Sequence, residues 1–261
     1  MAMRTAVGAG PDIPVVALPS GRLDGWRGLA ALGAAGILLA LVTFTVLVGE
    51  VVPPAAAGAL VFAAGIVLTA RHPGRAGPLL IGLASLGLLL SNSRNLAYGL
   101  TVPNDVVDFG LSALILLGAA CGVAGAVPLA RPGGVRVARS LAPRVLGGGA
   151  GALAVLAVVA SAVLRLGVPD AVAQAGDLPV ESQGLTFTTT SLRASAGTVA
   201  VAYANPDPGS HTFTIDALGV DLVVPGGTTG RAQFDAPAGT YRFYCAVPAH
   251  RPTMHGTLTV G

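Results

Sequence analysis

Residues 241–260 read YRFYCAVPAHRPTMHGTLTV, and this stretch decides the fold of the C-terminal part of the chain. It places Cys245, His250 and Met254 within ten residues, between two segments that alternate in the manner of β-strands. A thiolate, an imidazole and a thioether form a soft-ligand set that suits copper. The upstream segment 210–216, SHTFTID, offers His211 as a fourth ligand at the start of another alternating run.

The strand pattern also predicts where these side chains point. Side chains two residues apart lie on the same face of a strand. Cys245 therefore shares a face with Phe243, and His211 shares a face with Phe213. Because both neighbours are core-type residues, we expect the two ligands to point inward.

Each residue has a simpler explanation when it is considered alone. A single histidine such as His211 is more often a surface or capped residue, and a single cysteine such as Cys245 is more often a buried apolar thiol. The joint spacing and the flanking strands favour a copper site. His255 has the opposite strand parity to Met254, so we expect it to be exposed.

The region from 178 to 261 resembles a blue-copper cupredoxin of the plastocyanin/azurin type. Members of that family close with a Tyr-x-Phe-x-Cys strand, a ligand loop that contains proline, and a Met-x-Gly-Thr-Leu strand. The corresponding segments here are residues 241–245, 247–250 and 254–258. The resemblance implies a β-sandwich with one copper site.

The resemblance implies one type 1 copper ion, whose ligands are found by matching the family's positions to this chain, and a role in electron transfer. His250 would be the exposed edge ligand, within an apolar contact patch of Pro248, Ala249 and Pro252. In this chain three residues separate His250 from Met254, where the family usually has four. The implied copper ligands are His211, Cys245, His250 and Met254.

The composition predicts that the rest of the chain lies in a membrane. Of 261 residues, 53% are hydrophobic and only 10% are charged, which is too apolar for one ordinary soluble domain. A spanning helix needs roughly 20 apolar residues. Five segments meet this requirement more or less well, and they are 28–48, 54–70, 78 to about 97, 106–130 and 145–164.

The arginines predict the orientation in the bilayer, because positively charged loops stay in the cytoplasm. Glu50, Asp105 and Asp108 lie in the opposite loops, with Arg94 as the one basic exception. We therefore expect a cytoplasmic N-terminus and, after five spans, an extracytoplasmic C-terminal domain at the plasma membrane. The arginines on the cytoplasmic side are Arg4, Arg22, Arg27, Arg71, Arg75, Arg131, Arg136, Arg139 and Arg144.

Two features of the predicted spans have both a structural and a functional interpretation. Arg94, within the polar patch 91–95, is either a snorkelling arginine beside a fourth helix capped by Asp105, or part of a docking face for the copper domain or a partner. Cys121 is most simply a small packing residue. Because Cys121 and Cys245 lie in different domains, we expect two unpaired thiols.

The chain therefore divides into four predicted parts. They are a cytoplasmic tail at 1–27, a five-helix transmembrane domain at 28–166, a linker at 167–183 and a copper domain at 184–261. About seven short strands in the last part indicate a Greek-key sandwich. The predicted fold class is a membrane α-helical bundle of five spans followed by an all-β cupredoxin sandwich.

The predicted function is single-electron transfer at the outer face of the plasma membrane, without enzymatic turnover. The four histidines of the chain are too few for the additional copper centres of an oxidase or a nitrite reductase. The alternative is a tethered protein that stores, senses or delivers copper. We expect a redox partner protein, with a membrane respiratory complex as one candidate, and no nucleic-acid partner. Thr212 is a candidate to join the two ligand loops through its hydroxyl.

Overall fold

The computed structural model describes residues 25–49, 51–130 and 141–261. Residues 1–24 of the predicted tail, Glu50, and Arg131, Arg136 and Arg139 lie outside the described residues. Within the described residues, five long helices come first and a β-sandwich of two sheets follows. The predicted fold class is confirmed in both parts.

The five helices are long and apolar enough to cross a membrane. Each contains one predicted span and, except for the fourth, extends beyond it at one or both ends. The third helix continues through the polar patch 91–95 to Thr101, and within it the hydroxyls of Ser91 and Ser93 donate to carbonyl oxygens of the preceding turn. The helices are α1 Gly25–Val48, α2 Pro53–Arg71, α3 Ala76–Thr101, α4 Val106–Ala130 and α5 Ala142–Leu166.

Small residues let the helices approach closely around α4. A Cβ atom built on Gly33 of α1 would lie 2.3 Å from the carbonyl oxygen of Gly118 in α4, so the two backbones are in direct contact. Ala34, Ile37 and Ala119 fill the core beside this crossing. α5 is the exception, since most of its side chains are exposed on the outside of the bundle.

Arg27, at the start of α1, binds the end of α2. Its guanidinium donates to the carbonyl oxygens of Thr69, His72, Pro73 and Gly74, the last three at 2.6, 2.7 and 2.6 Å. The final carbonyls of a helix have no partner within the helix and carry partial negative charge. The arginine therefore satisfies the end of α2 and joins it to α1.

The sandwich has nine strands, two more than the number predicted. One strand lies in the segment predicted as a linker and another has only four residues, and both are strands because they pair with neighbouring strands. The strands are β1 Leu178–Gln183, β2 Thr186–Phe187, β3 Ser191–Ala194, β4 Gly197–Asn205, β5 His211–Ile215, β6 Val220–Val224, β7 Thr228–Ala236, β8 Gly239–Tyr244 and β9 His255–Val260.

The two sheets have the orders β2-β1-β4-β7 and β3-β9-β8-β5-β6. β1 pairs in parallel with β4, and β3 pairs in parallel with β9. β1 occupies the last six residues of the segment predicted as a linker, and its start at Leu178 coincides with the start of the cupredoxin resemblance. Apolar side chains from both sheets form one core, in which Phe243 packs against Phe187 and Phe213.

Candidate metal centre

β5 places His211 at one end of the five-stranded sheet. The strand lies between β8 and β6, so every one of its five residues is buried. His211 is the first residue of the strand and is 3% exposed. The predicted inward direction of this histidine is therefore confirmed.

Cys245 directly follows β8, the neighbour of β5, and is fully buried. Its backbone amide donates to the carbonyl oxygen of Met254 at 2.9 Å, which closes the loop between β8 and β9. Within this loop, the amide of His250 donates to Val247 at 3.0 Å and the amide of Met254 donates to His250 at 2.8 Å. These turns fold His250 back towards Cys245.

The three strongest candidate ligands meet at one place. The Nδ1 atoms of His211 and His250 are 3.0 Å apart, and the Sγ atom of Cys245 lies 3.8 Å from each of them. These three side lengths put the point equidistant from the atoms at about 2.1 Å from each, which is the length of a bond from a first-row metal to nitrogen and slightly shorter than a bond to sulfur. The site therefore fits a metal ion in the plane of two imidazoles and a thiolate.

Met254 is brought to the same end of the core. It is fully buried in the cluster that contains Cys245 and Val247. The shortened loop between His250 and Met254 forms a tight turn rather than an extended excursion. The buried position of Met254 near His211, Cys245 and His250 suits its thioether as a weak fourth ligand.

Burial also sets the charges of the metal-free site. It lowers the pKa of His211 and, together with the neighbouring His211, lowers the pKa of His250 to about 4. Burial raises the pKa of the Cys245 thiol, against the lowering effect of hydrogen bonds from Thr212 and Val247. At neutral pH both imidazoles are neutral and ready to coordinate, whereas a metal must displace the proton of the thiol.

Asp207 orients the first histidine. One of its carboxylate oxygens lies 3.0 Å from Nε2 of His211, on the opposite side of the ring from the metal-facing Nδ1 atom. A carboxylate in this position fixes the tautomer and ring orientation of a metal-binding histidine. Asp207 is not among the residues that the sequence analysis singled out; its position four residues before His211 is the one signal that could have indicated it.

Thr212 joins the two ligand segments, as predicted. Its hydroxyl oxygen accepts a hydrogen bond of 2.7 Å from the amide of Ala246, the residue after Cys245. Its own amide points at the Sγ atom of Cys245 at 3.4 Å. One buried threonine therefore sets the distance between the His211 strand and the Cys245 loop.

Of the other residues discussed in the sequence analysis, three lie where they were expected, and Arg94 does not form the docking face. His255 is exposed and Cys121 is buried in the bundle, both as predicted. Asp105 caps α4, with one oxygen accepting from the amides of Val107 and Asp108 at 3.0 and 2.9 Å. Among the described residues Arg94 is exposed and pairs with no acid. The bundle meets the copper domain through Asp105 and Asp108 instead.

A family comparison agrees with this fold. Residues 151–260 match the family of cupredoxin-like domains, so the C-terminal domain is cupredoxin-like; the match begins within α5. No curated protein matches the chain. Auracyanin A, a blue copper protein from the photosynthetic bacterium Chloroflexus aurantiacus, is 26% identical over 33% of this chain and 98% of its own, with a TM-score of 0.29. Amicyanin from Paracoccus versutus is 18% identical over 34% and 85%, with a TM-score of 0.29.

The Thr212→Val variant should destabilise the copper domain and weaken copper binding. Valine keeps the shape of the side chain but leaves the amide of Ala246 without its acceptor, which costs about 1–3 kcal/mol. Chemical denaturation and a copper titration of the full chain in detergent measure both effects. Thr259→Val, on the exposed side of β9, is the matched control. Equal results for the two variants would contradict the bracing role.

The metal-free protein should lose stability as the pH falls from about 6.5 towards 4. The pKa of His250 is lowered from 6.5 to about 4 in the folded state by burial, while the unfolded chain keeps the ordinary value. In this window the unfolded chain binds a proton that the folded chain does not, so acid favours unfolding. Melting curves should show a weaker pH dependence for His250→Gln and an unchanged one for His255→Gln. The same dependence in all three proteins would disprove the assignment.

Proposed function

We propose that this protein is a membrane-anchored type 1 copper protein that carries single electrons. The observation that carries the proposal is the buried triangle of His211, Cys245 and His250, whose atoms surround a point at metal-bond distance. Met254 completes the proposed ligand set as the axial thioether. Copper held by two imidazoles, a thiolate and a weak thioether supplies a one-electron couple between Cu(II) and Cu(I).

The residues of the chain keep the site ready for both oxidation states. The strands β5 and β8, the turn at His250 and the Thr212 hydrogen bond hold the ligand atoms near their final positions before any metal arrives. Full burial of Cys245 and Met254 keeps water away from the sulfur ligands. A site with this little freedom rearranges little when one electron is added or removed, which suits transfer without bond breaking.

The half-buried His250 provides the route between the site and the surface. Ala249 and Pro252 beside it are exposed, and Pro248 is half-buried. These three residues form the apolar contact patch implied by the family resemblance. We propose that a redox partner protein docks there briefly and exchanges the electron through the His250 ring.

The alternative function is copper storage, sensing or delivery without redox turnover. The pKa of the Cys245 thiol, raised by burial, favours the protonated form in the metal-free protein, which also suits a site that gains and loses metal. The closed ligand loop favours electron transfer, because a metal-delivery site needs an opening through which the metal leaves. An electron carrier of this kind carries out no enzymatic reaction of its own.

The proposed domain organisation has a tail at 1–27 and spans within 28–166. Because β1 occupies the last six residues of the segment predicted as a linker at 167–183, the proposed linker ends at 177 and the copper domain, predicted at 184–261, begins at Leu178. The five apolar helices support insertion in a bilayer. Arg71 and Arg75, at the connection between α2 and α3, support a cytoplasmic N-terminus and an extracytoplasmic copper domain at the plasma membrane. A membrane respiratory complex is one candidate partner at that face.

Copper spectroscopy tests the proposed centre. The full chain in detergent with one equivalent of Cu(II) should show an intense blue band from thiolate-to-copper charge transfer, bleached reversibly by a mild reductant. The band should vanish in Cys245→Ser and persist in Cys121→Ser, the matched control among the two free cysteines. Weak colour with tight Cu(I) binding would instead support copper handling, and no copper binding would overturn both functions.

Cysteine labelling tests the orientation. With both native cysteines replaced by serine, Ser195→Cys on the sandwich and His72→Cys between α2 and α3 each offer one exposed thiol. A membrane-impermeant maleimide should label position 195 in intact cells and position 72 only after the membrane is opened. The reverse pattern would disprove the proposed topology.

A further inference from the structure

The first turn of α4 is in direct contact with the copper domain. Asp105 and Asp108 both turn a carboxylate oxygen away from the bundle and towards loops of the sandwich. Asp105 is 2% exposed. Capping explains only one oxygen of Asp105, so the orientation of the two carboxylates needs a second explanation.

Asp108 binds the residue next to a proposed copper ligand. Its Oδ2 atom accepts a hydrogen bond of 2.9 Å from the amide of Ser210 and another from the Ser210 hydroxyl. Ser210 is fully buried and immediately precedes His211. Because both atoms of Ser210 donate to one oxygen, the backbone at the start of β5 has a defined position relative to α4.

A second set of contacts holds the neighbouring loop. Asp105 accepts a hydrogen bond of 3.0 Å from the amide of Gly226, and Arg165 at the end of α5 donates to the carbonyl oxygen of the same residue at 2.8 Å. A side chain on Gly226 would lie 2.2 Å from the carbonyl oxygen of Pro208, so only glycine fits between the two loops. Tyr98 of α3 packs against the core of the sandwich beside them.

These contacts place the ligand end of the sandwich on the helix bundle. Asp108 reaches His211 through one residue, while Asp207 orients the ring of the same histidine. The two hydrogen bonds from Ser210 fix the position of the Asp108 carboxyl group relative to the start of β5. A carboxyl group that is ionised near the site attracts Cu(II) more strongly than Cu(I), since the attraction grows with the charge of the ion.

We propose that Asp108 is a positioning residue through which the membrane bundle sets the geometry and the Cu(II)/Cu(I) preference of the copper centre. The proposal rests on the copper function proposed above. It gives the five helices a role beyond anchoring, because a single span could not supply the contacts from α3, α4 and α5 at once. The copper domain and the bundle then act as one redox unit.

The Asp108→Asn variant of the full chain tests this role. The substitution disturbs the two hydrogen bonds from Ser210 and removes any negative charge at this position, so the preference for Cu(II) over Cu(I) should fall. A tenfold fall appears as a rise in midpoint potential of about 59 mV for a one-electron couple. Asp235→Asn is the matched control, because that exposed carboxylate also accepts a threonine hydroxyl but lies on β7 of the other sheet. Its potential should equal that of the unchanged protein.

Hydrogen exchange of the metal-free chain gives a second measurement that needs no copper. Amides at 209–211 and 226–228 should exchange faster in Asp108→Asn than in the control. Ser210→Ala keeps the carboxylate and one hydrogen bond, so it should speed exchange while it shifts the potential less than Asp108→Asn does. If Asp108→Asn does not fold, Ser210→Ala still tests the contact between Asp108 and Ser210.

The outcomes separate this proposal from the proposed function. A blue centre whose potential and loop exchange are the same in Asp108→Asn and Asp235→Asn would overturn the positioning role and leave the copper function intact. Absence of any blue centre in the unchanged chain would overturn the copper function. Faster exchange in that case would still show that Asp108 positions the His211 strand.

Discussion

The fold of the copper domain depends on bringing two imidazole nitrogens and one thiol within 3.0 to 3.8 Å of each other inside an apolar core. Unpaired polar groups are costly at such depth, so each needs a partner or a metal. β5 supplies His211, Cys245 directly follows the neighbouring strand β8, and the loop closed between Cys245 and Met254 supplies His250. Three features bring these atoms together. They are the order of strands in the second sheet, the turn at His250 and the hydrogen bond to Thr212.

A second constraint joins the copper domain to the membrane part. Hydrogen bonds from the sandwich to Asp105 and Asp108, and from Arg165 to the sandwich, connect elements that are more than 60 residues apart in the chain. All three side chains lie at helix ends, in contact with the sandwich. A charge costs much more free energy at the centre of a bilayer than near its surface. The junction thus satisfies the polar ends of the helices and at the same time fixes the ligand end of the sandwich.

Several features of the site could be predicted from the sequence because they depend on local pattern. The spacing of Cys245, His250 and Met254 and the alternation around them were enough to predict a loop between two strands. β1 and β3 were not predicted, because their parallel pairing with β4 and β9 joins segments that are distant in the chain. Asp207 was missed because an acid in a turn has many ordinary uses, and only the fold shows that it faces His211.

By itself, the sequence determined the class of each part of this protein. Runs of apolar residues make helices that suit a bilayer, and alternating residues make strands with an inward face, since both depend on neighbours a few positions away. Only the tertiary structure decided that His211 meets Cys245 across neighbouring strands and that Asp108 binds Ser210. Those contacts join residues 34 and 102 positions apart, and no local rule relates such distant groups until the chain has folded.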